Sequence, residues 1–316
     1  VIERQRRTLP GDRTWPIDRV GRLSLWVKRP PYWASLYAGD DSIVEDHFLF
    51  RTAPYLRDLS DIAQRVAAPG IWVANDWKML PIAARAAQAS GGRFVYDSHE
   101  FATEEYAERW AWRAFQRPVV AAVEKQWINQ AAAVVSVSPG ILEALRNLYQ
   151  LSCPVDSIRN TPVYTQTAFR PTGELIRLLY HGVVAPGRGL QETIAALALL
   201  PPHFDLSIRG PASPRDFGEA LEQQIRELTL DGRARLLPPV PMSALVHEAA
   251  AFDIGIMALP GHSAHNQFAL PNKVFEYMMA GLALCVSDLP TMKQLADSAG
   301  AGVTFSGTAP AAIAAA

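Results

Sequence analysis

LPNKVFEYMMAG, residues 270–281, starts as a helix starts: Pro271 and Asn272 stand at its mouth and an apolar run follows. Lys273 and Glu276 fall in its first turn, three positions apart, so they share one helix face. An ammonium there can neutralise phosphate, and a carboxylate can accept hydrogen bonds from two vicinal ribose hydroxyls. The same pair could equally be a surface ion pair contributing about a few tenths of a kcal/mol, with Glu276 complementing the positive helix end. At about 100° per residue, Val274, Phe275, Met278 and Met279 cover one side, and Lys273, Glu276, Tyr277 and Ala280 the other.

A second chemical signal is YHGVVAPGRGLQETIAAL, residues 180–197. A strand ends at Gly182, a loop carries Gly187-Arg188-Gly189, and a helix opens. Gly182 and Gly189 let the backbone approach a ligand closely. Arg188 is always charged and can grip phosphate oxygens in bidentate fashion, and the helix amides add partial positive charge. The loop is neither a Walker loop nor a GxGxxG fingerprint, and a Gly-rich turn with a solvated Arg would read the same way. A third signal is VYDSHEFATEE, residues 95–105, where Asp97, His99 and Glu100 follow a strand directly. Such residues support acid–base work or metal binding. One histidine between two acids makes a poor metal set, and acids at a helix start are common for structural reasons.

These residues need strands and helices to place them. Short apolar runs with little polar alternation read as buried parallel strands: 70–76, 93–99 and 132–138 in the first half, with helices expected over 77–89, 104–128 and 139–149. Pro, Thr, Ser and Gly break the pattern over 152–173, the best linker. Strands are then expected at 176–183, 204–210, 235–240, 253–260 and 283–288, again alternating with helices. The expected architecture is α/β, with two doubly wound, Rossmann-like domains over residues 1–165 and 166–316 facing each other across a cleft. Ligands in such sheets sit beyond the carboxyl ends of the strands, so residues just after a strand matter most.

The 316 residues are 49% hydrophobic and carry a net charge of −1, which gives no global attraction to nucleic acid. Cys153 and Cys285 have neither metal-ligand nor redox spacing and read as thiols of a reducing, cytoplasmic compartment. No apolar run reaches the length of about 20 residues that a membrane-spanning helix needs. Residues 1–33 hold eight Arg or Lys against three acids, interleaved with Trp15, Trp26, Tyr32 and Trp33. That composition suits an anionic membrane surface or sugar stacking; it also suits a Trp-rich core. The chain starts at Val1 and ends in APAAIAAA, so it is expected to be a piece of a longer protein.

Taken together and in this order, DSHE, VSVSPGI, NTP, YHGVVAPGRGL and LPNKVFEYMMAGLALCVSDLP resemble the retaining nucleotide-sugar glycosyltransferases of family 4, over about residues 44–305. The resemblance implies the GT-B fold, an acceptor-side first domain, a donor-binding second domain, and metal-independent hexosyl transfer in polysaccharide biosynthesis. It implies no cofactor beyond a nucleoside diphosphate sugar as donor substrate, and a glycan or lipid-linked glycan acceptor. Arg188 matches the basic residue on the donor diphosphate, assisted by Lys273; Glu276 matches the carboxylate on the ribose. Asn272 lies at the same helix mouth, and Gly182 and Gly189 sit where backbone passes the donor. The base is expected near Pro239 and Val240. His99 matches the first-domain histidine facing the transferred sugar, with Asp76 and Asp97 on the acceptor side. The catalytic set implied is His99, Arg188, Lys273 and Glu276. Two departures stand out. The family usually pairs two glutamates eight positions apart, and Phe268 occupies the first position, leaving Asn266 and Gln267 as the nearest polar substitutes; the expected closing C-terminal helix is also missing. A nucleotide-sugar isomerase or a non-catalytic sugar-nucleotide scaffold are the competing readings.

Overall fold

The computed structural model describes residues 54–66 and 68–316. The basic, Trp-bearing stretch 1–33 lies outside the described residues. Two parallel sheets organise the chain. The first lobe runs α1 (Pro54–Val66), β1 (Ile71–Asn75), α2 (Leu80–Ser90), β2 (Arg93–Ser98), α3 (Arg117–Trp127), β3 (Ala133–Ser136), α4 (Pro139–Tyr149) and β4 (Val155–Ser157). Its strands lie in the order β1-β2-β3-β4. The second lobe runs β5 (Ile176–His181), α5 (Leu190–Leu197), β6 (Phe204–Arg209), α6 (Arg215–Glu227), β7 (Ala234–Leu237), α7 (Leu245–Ala249) and β8 (Ile254–Met257). It continues through α8 (Ala264–Phe268), α9 (Asn272–Ala280), β9 (Ala283–Ser287), α10 (Pro290–Ala299), β10 (Gly302–Phe305) and α11 (Pro310–Ala315).

The second sheet has the order β10-β9-β8-β5-β6-β7, all parallel. The chain therefore winds outward one way from β5 to β7, then crosses back to β8 and winds the other way. That reversal falls between β5 and β8, and such a switch point opens a crevice at the strand carboxyl ends. Gly182 and Arg188 follow β5; residues 258–272 follow β8. The topology thus brings two of the three chemical signals together.

The second lobe buries both faces of its central strands, whereas among the described residues the first lobe buries one face, through Ala74, Phe94, Tyr96 and Val134, and leaves Ile71 and Val73 exposed on the other. Tyr96, Leu80, Ile128, Ile141 and Leu145 are fully buried in the first; Ile194, Leu206, Ile208, Val274 and Val286 in the second. The first core also encloses a carboxyl group, Glu124, to which the Tyr96 and Tyr149 hydroxyls each donate at 2.7 Å. Burial pushes Glu124 up to about 7.

Several elements differ from the sequence expectations. The single helix expected over 104–128 is broken: a 3₁₀ turn at Ala102–Glu104 and a π turn at Trp112–Gln116 precede α3. Pro118 explains the restart, because it lacks an N–H and its ring crowds the carbonyl four residues back, so it belongs in a first helical turn. The 152–173 segment contains β4, which pairs with β3; three residues are too few to show a period. The expected 235–240 strand stops at Leu237, before Pro238 and Pro239, which have no N–H for the ladder. Helix α9 is buried nearly all round: Tyr277 and Ala280, placed on the polar side by periodicity, are buried beside Val274 and Phe275.

Candidate active site

The two lobes enclose a cavity of about 540 Å³, lined from the first lobe by the loop after β2 and from the second by the loops after β5 and β8. His99 and Glu100, Pro186 to Arg188, His265 and Asn266, and Pro271 and Asn272 all face it. The N-terminal ends of α5 and α9 therefore open toward one space, where their unpaired amides attract anions.

Local backbone chemistry fixes this placement. Gly189 has φ +69°, and a Cβ there would overlap the Ala258 carbonyl. A glycine is thus required for the loop after β5 to lie against the loop after β8. Gly182 has φ +123°, and a Cβ there would lie 3.0 Å from the Lys273 Nζ. Its absence lets the lysine reach beneath the end of β5. The Lys273 ammonium donates to the Tyr180 hydroxyl at 3.1 Å and sits 4.4 Å from that ring centroid. Burial, with the Arg188 charge second, lowers Lys273 to about 7, and Glu276 only partly opposes this. Arg188 itself is exposed on the cavity wall and makes no hydrogen bond or ion pair among the described residues.

Glu276 does not form the surface ion pair that its spacing allowed. Its side chain is 14% exposed, and a carboxylate oxygen lies 2.7 Å from Nε2 of the buried His181. The Tyr277 hydroxyl accepts from the His181 backbone N–H at 3.0 Å, and the two rings stack at 4.7 Å. The polar face of α9 is therefore packed over the carboxyl end of β5 rather than turned to water. Lys273 and Glu276 form the wall behind Arg188, not the lining of the cavity itself.

On the first lobe, the His99 Nε2 lies 3.1 Å from an Asp97 carboxylate oxygen. Asp76 sits at φ +74°, an unusual backbone for a non-glycine residue, and accepts the Trp77 N–H at 2.6 Å. Asp76 and Asp97 do not line the cavity but stand at adjacent strand ends beside it, joined by an Asp76 N–H to Asp97 carbonyl bond of 3.0 Å. Pro239 and Val240 follow β7 and do not line the cavity; Arg209, at the end of the neighbouring strand β6, reaches Glu248 at 3.2 Å. The Asn266 amide donates to the Pro260 carbonyl and the Gln267 amide to the Gly261 carbonyl, both at 2.7 Å. Those two nitrogens hold their own loop.

Sequence reading named Glu100 as following a strand but left out its partner across the lobes and the other bridging groups. Glu100 lies 3.3 Å from the His265 Nε2, and Glu108 lies 3.5 Å from the His262 Nε2. The Ser138 hydroxyl caps α4 by accepting the Ile141 N–H and also donates to the Phe268 carbonyl at 2.6 Å. Phe268 packs against the first-lobe core, over Gly140, where a Cβ would come within 2.7 Å of the ring. The signal available was two histidines, 262 and 265, in the loop after β8. Burial pushes Glu100 up to about 7, with the neighbouring Glu105 carboxylate second; burial and the Arg188 charge bring His265 down to about 4. Among the described residues, no group of three His, Cys, Asp or Glu could hold a metal ion, and no helix is long and apolar enough to cross a membrane.

This arrangement matches a known class. Residues 5–160 match the family described as a glycosyl transferase 4-like domain. With two parallel-sheet lobes across a shared cleft, the molecule has the GT-B fold. No curated protein matches it in sequence. Among solved structures it resembles Anabaena HepE in complex with UDP-glucose (TM-score 0.65, 18% identity), with 84% of this chain and 72% of that one covered. It also resembles sucrose-phosphate synthase from Thermosynechococcus elongatus (TM-score 0.67, 17% identity, 85% and 68% covered). A third is the lipopolysaccharide outer core galactosyltransferase WaaB (TM-score 0.54, 19% identity, 77% and 63% covered).

Proposed function

We propose that the protein transfers a sugar from a nucleoside diphosphate sugar to a hydroxyl of a glycan or lipid-linked glycan, with retention of anomeric configuration. The observation that carries this is a guanidinium, Arg188, with no partner among the described residues, on the wall of the interlobe cavity and backed by a lysine whose charge it already disfavours. Two crowded cations beside two open helix N-termini make a site that lacks an anion. The UDP seen with HepE makes uridine diphosphate the first nucleotide to test.

In this reading Arg188, Lys273 and the α5 and α9 amides take the diphosphate, with Asn272 at the mouth of α9. Gly182 and Gly189 give it room, Glu276 accepts the ribose hydroxyls, and the base lies toward Pro239 and Val240. His99, oriented by Asp97, faces the transferred sugar, and the acceptor enters past Asp76 and the first-lobe wall. The bond from the anomeric carbon to the phosphate oxygen breaks and its electron pair leaves with the diphosphate. The acceptor oxygen bonds to that carbon on the same face, and its proton passes to the departing phosphate oxygen. Neutralising the developing phosphate charge is the main catalytic contribution. The basic stretch 1–33 would hold the first lobe on anionic lipid at the cytoplasmic face of the membrane, bringing a lipid-linked acceptor within reach.

The test replaces Arg188 with Ala. Turnover of the donor should fall by about a hundredfold, the usual loss when one donor to a developing charge is removed. An unchanged kcat/KM takes Arg188 out of the site. An inverted anomeric product in the nuclear magnetic resonance spectrum would reject retention.

A further inference from the structure

Position 268 raises a question that the cavity answers. On α8, Phe268 turns its ring away from the cavity and packs it against the first lobe. The nearby amide nitrogens of Asn266 and Gln267 are committed to loop carbonyls. One turn back from Phe268, however, His265 meets Glu100 across the cleft at 3.3 Å. Both line the same cavity as Arg188. The His265 Nδ1 is buried with no hydrogen-bond partner among the described residues.

We propose that Glu100 and His265, one from each lobe, form the clamp that reads the hydroxyls of the sugar carried on the diphosphate. This rests on the nucleotide-sugar reading above. The argument is one of tether length: a sugar bonded to a diphosphate held at Arg188 is the part of the ligand that reaches the pair. A carboxylate accepts from hydroxyls, and an imidazole presents one donor and one acceptor. The Glu100 carboxyl is half exposed to the cavity, so its oxygens can accept from a ligand hydroxyl. The wall around it carries Glu105, Glu108 and Arg109, the last paired with Glu108 at 3.3 Å. Three carboxyl groups against that one guanidinium select a neutral, hydroxyl-bearing hexose and disfavour an anionic uronic acid in the same position.

Calorimetry on the full chain tests this. The titrants are UDP, UDP-glucose, UDP-galactose and UDP-glucuronic acid, then GDP with GDP-mannose and ADP with ADP-glucose. With Glu100→Gln, the affinity for the best neutral nucleotide hexose should fall about tenfold, with affinity for the corresponding nucleoside diphosphate unchanged. His265→Asn should move the same ratio in the same direction, and the wild-type protein should prefer the hexose to the uronic acid. The clamp is overturned by an unmoved ratio, by equal weakening of both ligands, or by wild-type protein that binds a diphosphate but no nucleotide hexose. Wild-type protein that binds no nucleoside diphosphate at all rejects the nucleotide reading itself, and the clamp with it.

Discussion

Lys273→Met should make this protein more stable and a worse binder at once. The lysine is lowered from 10.5 to about 7, first by burial and then by Arg188. At about 1.4 kcal/mol per tenfold, keeping its ammonium charged in the folded state costs about 5 kcal/mol relative to water. Because the folded-state value is depressed, the associated stability is full above the unfolded value and is lost as pH falls toward the folded one. Linkage puts the cost at about 4 kcal/mol at pH 7 and about 2 kcal/mol at pH 9. Methionine keeps the stem and removes the charge. It also removes the bond to the Tyr180 hydroxyl and the contact with that ring, which contribute about 1 kcal/mol each. The expected net gain is therefore about 2 kcal/mol at pH 7 and close to nothing at pH 9.

Thermal melting at the two pH values reads this directly. The variant should melt roughly 4 to 8 °C higher at pH 7 and level with the wild type at pH 9. Affinity for a nucleoside diphosphate should drop by about ten- to a hundredfold, the worth of one charge-assisted hydrogen bond. A variant that melts lower at pH 7, or one shifted equally at both pH values, would show that the lysine is not held near neutrality. Unchanged nucleotide affinity would show that its charge does not serve a ligand.

Binding of a nucleoside diphosphate near pH 7.5 should take up a fraction of a proton, because the anion offsets both causes that lower Lys273; calorimetry in phosphate and in Tris buffer measures it, and zero uptake contradicts the assignment. Gly189→Ala should push the loop after β5 off Ala258, since its φ of +69° and the overlap with that carbonyl both penalise a side chain. A loss of about 2 kcal/mol or more is expected with weakened nucleotide binding, and a variant of wild-type stability would refute the tight approach. Phe268→Ala removes a partly buried ring from the lobe contact. It should cost about 2 kcal/mol in stability and widen the molecule in small-angle scattering, and an unchanged radius of gyration would deny that Phe268 holds the lobes together.

The α/β alternation was legible because parallel strands buried on both faces are near-continuous apolar runs, such as 254–257 and 283–287. The strand ends were legible for the same reason: Gly182 and the GRGL loop follow β5 directly, and Lys273 and Glu276 lie on the first long helix after β8. What escaped was long-range. The sequence separation between Glu100 and His265 is large, and neither has a spacing that marks the other. The burial of Tyr277 was equally hidden, because Gly255, in another strand, makes room for its ring. Periodicity describes one helix and is blind to a notch in the sheet beneath it.

The substitution at 268 and the clamp at 265 share one cause. A side chain at position 268 can dock on the first lobe or face the ligand, but not both. Phe268 docks: its ring lies over Gly140, and its carbonyl takes the Ser138 hydroxyl. That anchors the short helix α8 against α4, and α8 carries His265 about one turn before the anchor. Docking at one end of the helix thereby sets His265 opposite Glu100 at the other. A glutamate placed at 268 would put a carboxylate against Gly140 and the apolar first-lobe core, so the anchor would release before the charge was buried. Phe268→Glu should therefore weaken hexose recognition rather than improve it, because the carboxylate gained on α8 comes with the loss of the cross-lobe pair.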